Sequence, residues 1–251
     1  MVKKLLLSLG IISLGFSLVG CSKIKSYENK VEKKDFVAAL EEKISVYNNK
    51  SYSYEYTSNQ ELDTEELVND KVTSLTEEVI NETKKVSVDL TNKIMNEEIK
   101  SSHKTKVKSD SGSEKSEESE DLNYSYQKND NIFFMLDNHE MKKYPSSESL
   151  LYTKYALTDY YSHLALATNF YVDDNTLTIV YKTDDDPDNK LETVTQYIFS
   201  EDKVEISTES ITEITAPAVD KKMRGKVQIS TREVYKFGSI ELKPKNIEDY
   251  K

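Results

Sequence analysis

Cysteine, glycine and histidine are scarce in this chain, and tryptophan is absent. Of the 251 residues, one is cysteine, six are glycine and three are histidine. A single thiol cannot form an intramolecular disulfide, and the histidines at 103, 139 and 163 do not have the spacing of metal ligands. The chain also lacks a GxSxG nucleophile motif and a phosphate-binding glycine loop. We therefore predict that the protein is not an enzyme and uses no metal and no cofactor.

Acidic residues outnumber basic ones, and arginine occurs only at Arg224 and Arg232. The formal net charge is −11. This acidity argues against nucleic acid as a partner, because binding to phosphates calls for a basic patch. The length fits one all-β or α+β domain, or two small ones.

The lone cysteine ends the first apolar segment. Lys3 and Lys4 precede an apolar run from Leu5 to Val19, which is too short to span a bilayer comfortably and is typical of a secretion signal. Two alternatives are an ordinary signal peptide with a chance cysteine and a transmembrane anchor. Removal of Lys3 and Lys4 with the signal would leave a more acidic chain.

The sequence "LVGC", from Leu18 to Cys21, resembles a bacterial lipobox. In that family the cysteine thiol receives diacylglycerol and becomes the new N-terminus. The resemblance implies a signal peptide over residues 1–20, a lipidated tether over 21–31 and a domain over 32–251. Two or three acyl chains are enough for stable anchoring. The predicted location is the outer face of the cell membrane, and the membrane is the first predicted partner.

The first part of the predicted domain changes from helix to strands. Over residues 31–49, Phe36, Leu40, Ile44 and Tyr47 recur at helical spacing. "SYSYEYTS" then alternates tyrosine with polar residues and predicts a half-buried strand. Residues 85–91 also alternate, and between these segments residues 62–82 favour strand with an exposed turn.

The middle of the chain contains a polar segment, a hairpin and a second helical pattern. Residues 101–121 have too little apolar surface to offset ordering entropy, so we expect a long, mobile, polar hairpin loop. Residues 132–136 are continuously apolar and predict a strand covered on both faces. Leu150, Leu157, Tyr161 and Leu164 then form a stripe typical of a helix over residues 150–167.

The remainder of the chain has the alternation and turn residues of antiparallel strands. In the last strand, Val227, Ile229 and Thr231 share a face whereas Val234 falls on the other, which suggests a bulge or bend near Arg232 and Glu233. The order of elements is thus a helix, strands, a second helix and further strands. The predicted fold class is α+β.

This order of elements behind a lipobox resembles the LolA/LppX-like superfamily of bacterial lipoprotein and lipid carriers. The resemblance rests on the first helix leading into "KSYSYEYTS", on "KNDNIFFMLDNHEMKKY", on the mid-chain helix and on the closing "YKFGSIELKP". It implies a strongly curved, unclosed antiparallel half-barrel whose concave face is covered by helices. An apolar cavity for acyl chains would lie between sheet and helices.

The candidate ligand-binding residues belong to the apolar strand and the second helix. An acyl chain needs apolar contact and few polar partners, which suits the apolar helix. The alternative is that the same helix fills the half-barrel as core. The candidate residues are Phe133, Met135, Tyr155, Leu157, Tyr161 and Leu164.

Two charged segments each allow a functional and a purely structural interpretation. "KTDDDPDNK" could hold Ca²⁺ through carboxylates, but it lacks EF-hand spacing and fits a solvated hairpin tip. "DKKMRGK" could touch lipid headgroups or teichoic-acid phosphates, or could simply form a polar turn at Gly225.

The sequence therefore leaves two functions open. The first is non-catalytic binding of a hydrophobic ligand, either a lipid or an acyl chain, in a cavity between sheet and helices. The second is a cell-surface module with a filled core that binds another protein of the cell envelope. The acidic charge and the polar segment at 101–121 motivate the second hypothesis.

Overall fold

The computed structural model describes residues 27–128, 132–137, 140–144, 157, 164, 167–186, 188–218 and 221–244. Within them lie one α-helix and twelve β-strands. The helix, α1, spans Lys33–Ser45. The strands are β1 Lys30–Val31, β2 Tyr52–Val68, β3 Lys71–Asp89, β4 Ile94–Ser109, β5 Glu114–Lys128, β6 Ile132–Asp137, β7 Glu140–Tyr144, β8 Asn169–Asp173, β9 Thr176–Asp186, β10 Asn189–Phe199, β11 Lys203–Ala218 and β12 Lys221–Phe237.

All twelve strands belong to one antiparallel sheet. Its order is β1-β8-β9-β10-β11-β12-β2-β3-β4-β5-β6-β7. The edge strands β1 and β7 are not paired with each other in the described chain, so the sheet is open. The predicted α+β class, a half-barrel with helices covering its concave face, is wrong. The described chain is mainly β, because segments expected to be irregular extend the neighbouring strands.

Helix α1 packs against one face of the sheet, which we call the inner face. Phe36, Leu40 and Ile44 are buried, as the helical spacing predicted. The Phe36 ring lies 5.3 Å from that of Phe170 on β8, and the Tyr47 ring lies 4.5 Å from that of Phe237 on β12. Helix and sheet thus share one hydrophobic core.

Strands β2 and β3 form a long hairpin that extends well past this core. Tyr52 and Tyr54 are buried at one end. The other end turns at Asn69 and Asp70, whose φ angles are 53° and 60°. Short polar residues tolerate this left-handed backbone. The prediction of strand with an exposed turn across this segment is confirmed.

Residues 101–121 form a second long hairpin, and its arms are regular paired strands where a hairpin loop was expected. The segment belongs to β4 and β5, which meet at a turn containing Gly112. Opposite charges face each other across it: Lys104 lies 2.9 Å from Glu118, and Lys106 lies 2.8 Å from Glu114. The low hydrophobicity of this segment hid both strands from sequence analysis. β4 pairs with β3 on one side and with β5 on the other.

The last five strands form consecutive hairpins, with turns at 174–175 and 200–202 as predicted. The predicted bulge near Arg232 is absent, since β12 pairs in continuous register with both β11 and β2. Val234 instead lies buried on the opposite, outer face, directly between Glu55 and Glu205. Long charged side chains can cover such a residue with their aliphatic stems.

The structure describes only three residues of the predicted second helix. Of the expected helix over 150–167, these are Leu157, Leu164 and Ala167.

The last residues of the predicted tether join the domain, because Lys30 and Val31 pair with β8. The Tyr27 ring also lies 5.3 Å from that of Tyr171. No helix in the described ranges is long and apolar enough to cross a membrane.

Candidate functional site

The structure describes the side chains of two of the six candidate ligand-binding residues. Leu157 and Leu164 are 8% and 3% exposed and belong to the core beneath α1. The backbone carbonyl of Leu164 accepts a hydrogen bond from Lys33 Nζ at 2.8 Å. Phe133 and Met135 lie on β6 near the far edge of the sheet, and their side chains are outside the described set. Tyr155, Tyr161 and Cys21 also lie outside the described residues.

Aromatic side chains occupy the space between α1 and the central strands. Tyr54 and Tyr235 have ring centroids 4.8 Å apart, and Tyr52 lies 6.1 Å from Tyr235. Burial raises the pKa of the Tyr52 and Tyr235 hydroxyls above the usual tyrosine value. These hydroxyls therefore stay protonated, and this end of the inner face is a packed core.

Past this core, an uncharged surface continues across four adjacent strands of the inner face. We call it the uncharged band. Strand pairing places all its members on the same face as Tyr54 and Tyr235. In a chain that is 31% charged, none of these positions carries a charge. The band consists of Leu191, Thr193 and Thr195 on β10, Thr208, Ser210, Thr212 and Ile214 on β11, Gly225, Val227, Ile229 and Thr231 on β12, and Ser58, Gln60, Leu62 and Thr64 on β2.

The outer face of the same strands is charged. Arg224 lies 3.3 Å from Glu65 and Lys222 lies 3.1 Å from Asp70, so these two β12 cations pair with carboxylates near the end of β2. Residues 221–226 of the segment proposed to touch headgroups or to turn at Gly225 thus belong to β12, and Gly225 lies inside this strand. Charges on these strands are segregated by face, since alternate residues of a strand point to opposite sides.

Ionic and polar groups border the uncharged band at both ends. At the far end, Lys221 Nζ lies 2.8 Å from Glu66. At the core end, Glu233 Oε2 accepts hydrogen bonds from the hydroxyls of Tyr54 and Tyr235 at 3.1 and 3.3 Å. Desolvation and the nearby Glu233 carboxylate together raise the pKa of the Tyr235 hydroxyl. The band is therefore a defined surface between two polar borders.

A row of four hydroxyls crosses the band next to Glu233. Thr195, Thr208, Thr231 and Ser58 are cross-strand neighbours on β10, β11, β12 and β2. Each is less than a tenth exposed. Hydroxyls beside aliphatic groups can bind a ligand through hydrogen bonds and apolar contact.

Metal binding gains no support from the described geometry. In the described residues no group of three or more potential ligands is assembled. The acidic segment considered for Ca²⁺ is a hairpin tip between β9 and β10, and the Asp188 carbonyl accepts a hydrogen bond from Thr215 N at 2.7 Å. The side chains of residues 184–186 lie outside the described set.

Sequence reasoning missed the uncharged band although part of its signal was visible. Val227, Ile229 and Thr231 were seen to share a face. In "STESITEI" both glutamates likewise fall on the face opposite to Thr208, Ser210 and Thr212. The sequence does not show which strands pair with each other. Only the register shows that the uncharged faces of four strands adjoin one another.

No family model and no curated protein match this chain. Three solved structures are similar to it in part. The outer membrane protease OmpT from Escherichia coli is 6% identical, with 76% of this chain and 97% of that chain covered and a TM-score of 0.23. The translocator domain of the autotransporter NalP from Neisseria meningitidis is 5% identical, with 82% and 95% covered and a TM-score of 0.22. The S-type phycobiliprotein lyase CPES from Guillardia theta is 7% identical, with 73% and 88% covered and a TM-score of 0.18. TM-scores this low carry no argument about fold or function.

Proposed function

We propose that this protein is a lipoprotein, anchored through Cys21 to the outer face of the cell membrane, that binds a hydrophobic ligand without catalysis. The lipobox resemblance supports the anchor. The segregation of charge supports the ligand, because the uncharged band covers the inner face of β10, β11, β12 and β2 between its two polar borders, while the outer face of β12 and β2 carries ion pairs. The binding surface is the uncharged band.

Apolar contact is the chemistry that the uncharged band offers a ligand. Ile214, Val227, Ile229 and Leu62 are half-buried on it, so aliphatic surface remains partly open to solvent. Covering such surface stabilises a complex by about 25 cal/mol for each Å² of apolar area removed from water. The band lies past the packed aromatic core, so this proposal does not require a cavity beneath α1.

A matched pair of isoleucines on β11 tests the binding surface. Ile214 lies on the inner face within the uncharged band, whereas Ile211 lies on the outer face and is 38% exposed. The two variants Ile214→Glu and Ile211→Glu introduce the same charge on opposite faces of one strand. Both would be made in the full-length chain with Cys21 replaced by serine, which removes the acylation site.

Uptake of the uncharged dye Nile red, followed by fluorescence, and native mass spectrometry of bound lipids are the measurements. We expect Ile214→Glu to weaken uptake at least tenfold, since a carboxylate in an apolar contact must be desolvated. Ile211→Glu should bind as the parent does. Equal uptake by all three proteins, or no uptake by the parent, would contradict the proposal.

A second candidate function is a protein-interaction module. The part of β5 that precedes Tyr124 supports this function. β5 pairs with β6 only from Tyr124 to Lys128. Among the described residues, no strand pairs with the rest of β5 on the side away from β4. The exposed acidic residues there, Glu117, Glu118 and Glu120, would suit a basic extended segment added at the edge.

This second function differs from the first in its dependence on salt. An envelope protein held by these carboxylates should be released in about 0.5 M salt, where the Debye length is about 4 Å. Its binding should also be lost when Glu117, Glu118 and Glu120 are replaced by glutamine. Capture that survives both changes would argue against this edge as the docking site.

A further inference from the structure

Four buried hydroxyls occupy one level of the uncharged band, where aliphatic side chains would be expected. Thr195, Thr231 and Ser58 are each 5% exposed, and Thr208 is 9% exposed. Thr195 and Thr208 share a hydrogen bond of 3.0 Å between their Oγ1 atoms. Since β12 lies between β11 and β2, Thr231 connects this pair to Ser58 in an unbroken row.

Ser58 ends this row with an unused hydrogen-bonding group. Its Oγ atom is buried and has no hydrogen-bond partner among the described residues. A buried hydroxyl without a partner is costly, and a hydroxyl can both donate and accept. The Ser58 hydroxyl is therefore available to a polar group that reaches the inner face from outside the chain.

The groups around Ser58 favour hydrogen-bond donors without charge. Glu233 lies on the same face next to Thr231, directly across from Tyr56, and is held by the two tyrosine hydroxyls described above. On the other side of Ser58, its cross-strand partner Glu82 is 2.9 Å from Lys84. Two carboxylates repel an anionic headgroup. An ammonium group could donate to Glu233 but could not accept from the Ser58 hydroxyl, whereas a neutral hydroxyl can do both.

We propose that the hydroxyl row binds a neutral, hydroxyl-bearing headgroup of an amphiphile whose apolar chain lies along the uncharged band. This inference rests on the proposed function and specifies the ligand's polar end. Ser58 and Thr231 bond to hydroxyls of the headgroup, and the Glu233 carboxylate accepts from another. A sugar or glycerol unit has the required chemistry.

Two neutral detergents with the same alkyl chain test the headgroup. Dodecyl maltoside carries many hydroxyls, whereas dodecyl octaethylene glycol ether has ether oxygens and one terminal hydroxyl. Each would be titrated, below its critical micelle concentration, into the full-length chain with Cys21 replaced by serine. The measurement is isothermal titration calorimetry, with native mass spectrometry to count bound molecules.

We expect the maltoside to bind at least tenfold more tightly than the ether. Thr231→Val and Ser58→Ala should each weaken maltoside binding about fivefold, which is the effect of one neutral hydrogen bond, and leave ether binding unchanged. Ser230→Ala, which removes a hydroxyl from the outer face of β12, is the matched control and should change neither affinity. Urea unfolding midpoints verify that the variants are folded.

The two proposals fail in distinguishable ways. If both detergents bind equally, or if Thr231→Val and Ser58→Ala bind maltoside as the parent does, the headgroup inference is overturned while the hydrophobic site stands. If neither detergent binds, the proposed function is overturned as well.

Discussion

The ion cluster on the outer face at Glu205 predicts how stability depends on pH. The Glu205 carboxylate accepts hydrogen bonds from Arg232 Nε at 2.8 Å and from Arg232 Nη2 at 3.0 Å. Lys203 Nζ lies 2.6 Å from the same carboxylate. These interactions, with the bonds from Arg232 first, lower the pKa of Glu205 from 4.5 to about 2. The perturbation is Glu205→Gln, which removes the charge with little change of shape.

The magnitude follows from that pKa and from the exposure of the partner. The drop in pKa corresponds to about 3 kcal/mol if the interaction were unscreened. The Arg232 side chain is 50% exposed, so solvent screening reduces the contribution to about 1 kcal/mol. We therefore expect Glu205→Gln to lower the free energy of unfolding by about 1 kcal/mol at neutral pH.

The sign of the pH dependence is determined by the direction of the pKa change. Because the native pKa of Glu205 lies below the unfolded value, its contribution is fully present above a pH of about 4.5. It is lost progressively as the pH falls towards about 2. The difference in stability between the parent and Glu205→Gln should shrink over that interval.

Urea unfolding followed by tyrosine fluorescence measures this difference, and the absence of tryptophan leaves the tyrosine signal clear. Glu209→Gln is the matched control, because Glu209 is an exposed glutamate on the same face of β11. A deficit for Glu205→Gln that is the same at about pH 7 and about pH 3 would refute the reasoning, because it would not arise from the carboxylate charge.

Two further predictions concern the core and the anchor. Leu40→Ala should lower the free energy of unfolding by about 2–5 kcal/mol, since Leu40 is 0% exposed and its truncation leaves a cavity beneath α1. The control is Val46→Ala, at a residue that is 58% exposed. In the same urea titration it should change the free energy of unfolding by less than about 0.5 kcal/mol. Cys21→Ser should abolish incorporation of labelled fatty acid into the protein, and a variant that still incorporates the label would show that the thiol is not the acylated group.

The first helix and the alternating strands could be predicted because their signals are local. The buried stripe of Phe36, Leu40 and Ile44 follows from helical periodicity, and the burial of Tyr52 and Tyr54 follows from strand periodicity. A residue's neighbours in the chain determine these patterns. No knowledge of pairing between distant segments is needed to read them.

The predictions that failed depended on partners far away in the sequence. Residues 101–121 are too polar to suggest strands, yet β4 pairs along its whole length with β3, and Lys104 faces Glu118. The expected bulge at Arg232 came from assuming that only one face of β12 is buried. Val234 is instead buried on the outer face between carboxylates of two other strands.

The sequence by itself therefore determined the composition of each face, and the tertiary structure decided which faces adjoin. In the printed sequence, most charged residues of β11 and β12 fall at alternate positions, which places them on one face of each strand. Backbone pairing brings Thr195, Thr208, Thr231 and Ser58 into one row, although they come from separate parts of the chain. The physical reason is that side-chain alternation is a property of a single strand, whereas register is a property of two.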